Sequence, residues 1–111
     1  MDRINDIAKK HGLFVIEDAA HAVYTTYKDR LIGSDGNPTA FSFYATKNIA
    51  TGEGGMLTTN DDELYEKAAV LSCHGMSRTA WNRYGKGGKW RYDVLEAGFK
   101  YTMTDIAAAL G

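Results

Sequence analysis

Four apolar residues in a row, Leu13-Phe14-Val15-Ile16, end on two adjacent carboxylates, Glu17 and Asp18. An uninterrupted apolar run this short, rich in β-forming side chains, marks a strand covered on both faces, as in a parallel sheet lying under helices. Two more strand candidates follow. One is Thr39 to Tyr44, directly after Pro38, the only proline; the other is Met56 to Thr59, entered through Gly54-Gly55. Helical patterns flank them. Residues 2–11 place Ile4, Ile7, Ala8 and His11 on one face, with Lys9 and Lys10 suited to the C-terminal end of the dipole and Gly12 to cap it. Asn60 followed by Glu63 has the form of a capping box, with Asp61 and Asp62 at the positive end of a helix whose apolar stripe is Leu64, Ala68 and Leu71 and which Gly75 ends. Thr104 suits the N-cap of a last helix from Asp105 to Leu110. Helix, strand, strand, strand, helix is an α/β order.

Three short strands make a small sheet for such a pattern, with both edges and much of both faces left open. The expectation is therefore a piece of something larger. Between the first two strand candidates, residues 23–38 read as irregular or hairpin-like, with Tyr27 to Ile32 held between turn signals. Residues 76–92 change character, with five Lys and Arg, no acids, three Gly and two Trp, and read as a mobile basic loop. The 111 residues suffice for one domain with a modest core. A net charge of −1 gives no overall field toward nucleic acid or anionic lipid. Cys73 is the only cysteine, so no internal disulfide forms and a reducing compartment is the expectation. No apolar run approaches the roughly 18 residues of a membrane span, and Met1 to Asp6 lacks the apolar core of a secretion signal. A cytoplasmic location is the default reading.

Lys47 closes the string Phe41-Ser42-Phe43-Tyr44-Ala45-Thr46-Lys47 and is followed by Gly52, Gly54 and Gly55. An amine on a constrained turn after an apolar strand suits a carbonyl-capturing nucleophile that forms a Schiff base. Asp18, at the end of the first apolar run, lies on the rim where α/β sheets bind ligands, and a carboxylate there can hold a heterocyclic nitrogen protonated. Glu17 points to the other side of a regular strand. His21 fits a contact to a cofactor or a structural role; the Ser42 hydroxyl fits a phosphate contact, with Thr46 assisting. Cys73 and His74, adjacent and without further paired ligands, are not a metal site. Together these segments read as half of a site for pyridoxal phosphate.

Those segments, with Leu71-Ser72-Cys73-His74-Gly75, Gly98 to Ile106 and Ala107-Ala108-Ala109-Leu110-Gly111, resemble the DegT/DnrJ/EryC1/StrS family of pyridoxal phosphate-dependent sugar aminotransferases. The resemblance runs in order over essentially the whole chain. It implies part of the large cofactor-binding domain of a fold-type I aminotransferase, a mostly parallel sheet flanked by helices, across residues 1–111, with the N-terminal part and the C-terminal small domain absent. It implies transfer of an amino group to a keto-sugar nucleotide, with glutamate as donor, in a homodimer with composite sites. Carried over by position, Lys47 holds the cofactor and shuttles the proton, Asp18 pairs with the pyridine nitrogen, His21 contacts the ring region and Ser42 the phosphate. Gly98 to Tyr101 corresponds to a segment that reaches the neighbouring subunit's cofactor phosphate; Lys100 fills a position often held by asparagine, and Thr102 one where a larger polar or basic residue is common.

Family members are several times longer, so the isolated chain is expected to bind pyridoxal phosphate weakly and not to transaminate. Members that dehydrate rather than transaminate carry histidine at the Schiff-base position, where this chain has Lys47. Two other readings remain: a non-catalytic remnant serving assembly, and a nucleic-acid module built on Arg78, Trp81, Arg83, Tyr84, Lys86, Lys89, Trp90 and Arg91. The charge balance of the remaining chain weighs against the second.

Overall fold

A computed structural model describes residues 1–34, 36–77 and 92–111. The expected basic loop falls mostly on residues 78–91 and so lies outside the described residues. The chain divides into two compact units, Met1–Asp61 with Met103–Gly111, and Asp62–Thr102.

The first unit opens with α1, Asp2–His11, over the residues the sequence predicted; of the expected apolar face only Ala8 is buried, and Ile4 and Ile7 are exposed. Gly12 takes a left-handed conformation (φ 62°), which a Cβ would strain, and the chain turns off the helix there. The Leu13 and Gly12 amides return to the Ala8 and Lys9 carbonyls at 2.9 and 3.4 Å, the paired bonds of a Schellman ending. An ion pair between Asp2 and Lys28 holds the first turn. The Lys28 hydrogen bond lowers the Asp2 pKa and, reciprocally, the Asp2 carboxylate raises that of Lys28.

The strands are β1 (Glu17–Asp18), β2 (Thr26–Tyr27), β3 (Arg30–Leu31), β4 (Thr39–Ser42) and β5 (Gly55–Thr58). β1 runs parallel to β4, with Glu17 opposite Thr39 and Asp18 opposite Ala40; β4 runs antiparallel to β5, with Ser42 opposite Gly55. The main sheet is thus mixed, in the order β1-β4-β5. β2 and β3 form the hairpin that the turn signals predicted. Its two loop residues, Lys28 and Asp29, both have positive φ (50° and 63°), the twist a two-residue hairpin requires.

The apolar run Leu13 to Ile16 differs from expectation. It leads into β1 without being strand, and Leu13, Phe14 and Ile16 are 63%, 67% and 65% exposed. The reason lies in the partner: β4 begins at Thr39, opposite Glu17, so no residue of β4 lies beside Leu13 to Ile16. The run has the composition of a covered strand but not the neighbour that would cover it. The unit's buried residues are small, among them Ala8, Ala19, Thr39 and Thr51. Asn37 ties α1 to β1, donating to Asn5 Oδ1 at 3.0 Å and to Glu17 Oε1 at 2.8 Å. Glu17 therefore faces away from the rim, as the strand alternation predicts. The last helix, α3 (Asp105–Leu110), is capped as expected, with the Thr104 hydroxyl accepting from the Ala107 amide at 3.2 Å.

The second unit is α2, Asp62–Ser72, with residues that return to its C-terminal end. The helix starts at Asp62, one residue beyond the start that an Asn60 cap implies; the Thr59 hydroxyl accepts instead from the Asp61 amide at 3.1 Å. At the other end the Gly75 amide reaches the Val70 carbonyl at 3.0 Å while His74 takes positive φ (58°). The bond that would complete a Schellman ending is replaced by chain from further on. The Phe99 amide donates to the Leu71 carbonyl at 2.7 Å, and the His74 amide to the Phe99 carbonyl at 2.8 Å. Backbones cross so closely that a Cβ on Gly98 would meet the His74 carbonyl carbon at 2.6 Å and the Gly75 Cα at 2.9 Å.

Two outcomes follow from these contacts. Gly98→Ala destabilises the chain by about 1–3 kcal/mol in urea titration, as overpacking against immovable backbone does, with faster amide exchange at His74 and Phe99. Asp2→Asn lowers the thermal midpoint slightly at neutral pH. The difference vanishes as pH falls through the depressed Asp2 pKa, because the stability a depressed carboxylate supplies is present above its unfolded pKa and lost below its folded one.

Candidate functional site

Because β1 and β4 are parallel, their carboxyl ends open on the same rim, and each ends on a predicted site residue. Asp18 is the last residue of β1 and Ser42 the last of β4. Ligands of open α/β sheets bind at such a rim. Beyond each strand the chain is held by a short side-chain turn. Asp18 Oδ1 accepts from the Ala20 amide at 3.0 Å, which fixes the carboxylate and leaves its second oxygen unused by that bond. Ser42 Oγ accepts from the Tyr44 amide at 3.3 Å, so its own hydrogen remains available to donate to an anion.

Lys47 lies in a loop whose ends are tied together. The Thr51 amide donates to the Phe43 carbonyl at 2.9 Å, and the Phe43 amide to the Gly54 carbonyl at 2.8 Å, closing residues 44–50 into a compact turn. Within it the Lys47 amide donates to the Tyr44 carbonyl at 2.9 Å. The Thr51 side chain is buried, 4% exposed, and donates to the Glu53 carbonyl at 3.0 Å. Gly54 admits the close approach that this requires: a Cβ there would fall 2.7 Å from Thr51 Oγ1 and 2.7 Å from the Met103 methyl carbon.

The loop brings Lys47 to the segment after β1. Lys47 Nζ lies 2.6 Å from His21 Nε2, across 26 residues of sequence. With the amine protonated, Nζ donates to Nε2 and the imidazole carries its own hydrogen on Nδ1. Thus Lys47, His21, Asp18 and Ser42 share one unit, the first two in direct contact and the last two at neighbouring strand ends. Lys100 belongs to the second unit, where it bridges to Cys73 in antiparallel fashion beside the stacked rings of Phe99 and Tyr101 (centroids 5.0 Å apart). Among the described residues no three His, Cys, Asp or Glu side chains converge as metal ligands, and no helix is long and apolar enough to cross a membrane.

Sequence reasoning missed Thr51 and Asn37. Neither carries chemistry, and a buried threonine that pins a loop leaves no periodic signature. The one available signal for Thr51 was its place at the head of the glycine-rich stretch, where a turn needs a side-chain partner.

An amine, an imidazole, a carboxylate and a hydroxyl on one sheet rim form a donor set that fits a phosphorylated heterocyclic aldehyde. The amine can capture the aldehyde, the carboxylate can pair with a protonated ring nitrogen and the hydroxyl can donate to phosphate.

The DegT/DnrJ/EryC1/StrS aminotransferase family model matches residues 1–111. The spore coat polysaccharide biosynthesis protein SpsC of Bacillus subtilis is 67% identical over 111 residues, which is all of this chain and 28% of that protein. The crystal structure of an aminotransferase from Psychrobacter cryohalolentis superposes with a TM-score of 0.84 at 41% identity, covering 98% of this chain and 28% of that one. The putative sugar aminotransferase Spr1654 of Streptococcus pneumoniae, in its PLP form, gives a TM-score of 0.74 at 38% identity, covering 89% of this chain and 24% of that one. This chain therefore spans less than a third of the length of each of these proteins.

Thr51→Val keeps the shape of the loop but leaves the Glu53 carbonyl without its donor. The expected cost is about 0.5–1.5 kcal/mol by chemical denaturation, the net contribution of one part-buried hydrogen bond.

Proposed function

Because the chain belongs to the DegT/DnrJ/EryC1/StrS aminotransferase family, we propose that it is the cofactor-gripping portion of a sugar aminotransferase that uses pyridoxal phosphate. The observation that carries this reading is the meeting of Lys47 and His21 on the rim where β1 ends in Asp18 and β4 in Ser42.

When bound, pyridoxal phosphate supplies an aldehyde that condenses with primary amines and a ring that takes up charge from the adjacent carbon. The residues of this chain bind and orient it. Lys47 presents Nζ from a closed loop, where it would hold the aldehyde and, once released, would carry a proton. The Asp18 carboxylate, locked by the Ala20 amide, holds a proton on the ring nitrogen. The Ser42 hydroxyl donates to phosphate from the end of β4, and His21 borders the ring. Lys100 supplies a further cation for the phosphate of a neighbouring subunit in a homodimer. The amino acceptor in this reading is a keto-sugar nucleotide and the donor glutamate, with contacts to both made largely by parts of the longer protein.

The name of the Bacillus relative supports a role in making polysaccharide precursors, and the solved sugar aminotransferases support the enzyme reading over a non-catalytic remnant or a nucleic-acid module. The residues of the nucleic-acid alternative, Arg78 to Arg91, lie outside the described residues.

Incubation with excess pyridoxal phosphate followed by borohydride reduction is expected to give one cofactor mass at Lys47 by peptide mass spectrometry. Lys47→Ala loses that adduct. Asp18→Asn retains it but shifts its absorbance and weakens binding about tenfold, through loss of the charge opposite the ring nitrogen. Labelling spread evenly over the surface lysines would refute the reading.

A further inference from the structure

The contact between Lys47 and His21 does more than define a location. A lysine amine becomes a nucleophile only after losing its proton, and its product with an aldehyde forms only after further proton movements. Attack by the amine on the carbonyl carbon makes a C–N bond and puts positive charge on nitrogen. That nitrogen must then release its two protons in turn, and the oxygen must gain two to leave as water. In bulk solvent these transfers rely on buffer; in this chain an imidazole nitrogen stands 2.6 Å from the reacting amine. Histidine is the side chain whose ordinary titration range suits both accepting and returning a proton near neutral pH.

We propose that His21 is the proton relay for aldehyde capture at Lys47. This rests on the reading of Lys47 as the cofactor lysine and adds a step that reading does not require. The sequence balances. The amine lone pair of Lys47 forms the C–N bond while the carbonyl π pair moves to oxygen. Nε2 of His21 takes a proton from nitrogen and the resulting imidazolium returns it to the alkoxide, giving a hydroxyl; a second pass moves the remaining N–H proton to that hydroxyl. Water leaves as the C=N bond forms, and His21 ends as it began. The reverse order serves release of the lysine when another amine takes the aldehyde.

The geometry suits a relay rather than a fixed support. Both side chains reach the contact from separate, locally anchored segments: Lys47 from the loop closed by Phe43 and Thr51, and His21 from the turn after Asp18. His21 is itself exposed, so its ring is not held in place by burial and its removal leaves no cavity. A structural histidine would show the opposite pattern.

The test follows Lys47 capture of two aldehydes, pyridoxal phosphate and a small aliphatic aldehyde with neither ring nor phosphate. Adducts are trapped with cyanoborohydride and counted site by site by mass spectrometry, with the other lysines as internal reference. His21→Ala and His21→Gln are both compared with the unaltered chain at one fixed pH, and far-ultraviolet circular dichroism confirms the same fold. The relay predicts that both variants slow capture at Lys47 by about 10- to 100-fold for either aldehyde, without changing the other lysines. It also predicts that free imidazole restores the rate in His21→Ala. The glutamine side chain keeps a hydrogen-bond acceptor but cannot carry the proton. Capture at the unaltered rate in His21→Gln, or failure of imidazole to restore His21→Ala, would overturn the relay. If the small aldehyde shows the histidine dependence while pyridoxal phosphate does not select Lys47, the relay stands and the cofactor reading fails. If pyridoxal phosphate selects Lys47 equally in all three chains, the cofactor reading stands and the relay fails.

Discussion

Two backbone bonds between β1 and β4, Glu17 to Pro38 and Ala19 to Ala40, set the geometry on which the candidate site depends. Their parallel sense makes both strands end on the same side, and their register decides which residues stand there. A slip of one residue would turn Asp18 to the face that Glu17 now occupies, where Asn37 waits with an amide rather than an open rim. The candidate site residues need no long-range coordination beyond this. Each is delivered by a turn of a few residues starting from a strand end whose position the ladder has already fixed.

The loop bearing Lys47 shows how little burial such positioning requires. Its anchors are backbone bonds at its base and one buried threonine side chain, not a packed apolar layer. Rigidity here comes from closing a short ring of chain, which removes most of the conformations that a free lysine would sample.

Much of this was legible in the amino-acid order. The extent of α1, its glycine ending and the Thr104 cap were correct because they depend on contacts within a few residues. The β2–β3 hairpin was visible through its turn signals for the same reason. Leu13 to Ile16 was misread because the pattern reports what a segment is suited to and says nothing about whether the partner strand is present alongside it. The start of α2 moved by one residue because Asn, Asp and Thr in succession offer several competing caps and only three-dimensional placement selects among them. At the site, Lys47, Asp18, His21 and Ser42 stood out by type and spacing; the direct Lys47–His21 contact did not, since 26 residues of sequence separate the pair.

The crossing of Gly75 and Gly98 carries a consequence for how such chains can vary. The Ser77 amide bonds the Asp93 carbonyl at 2.9 Å and the Leu95 amide the Gly75 carbonyl at 2.8 Å, so residues 93–95 are clasped to the end of α2. A Cβ on Gly75 would overlap the Glu96 carbonyl oxygen, and one on Gly98 would overlap the Gly75 amide nitrogen. The return of Phe99 to the end of α2 therefore depends on two positions that carry no side chain, and any substituent at either one would part the two backbones.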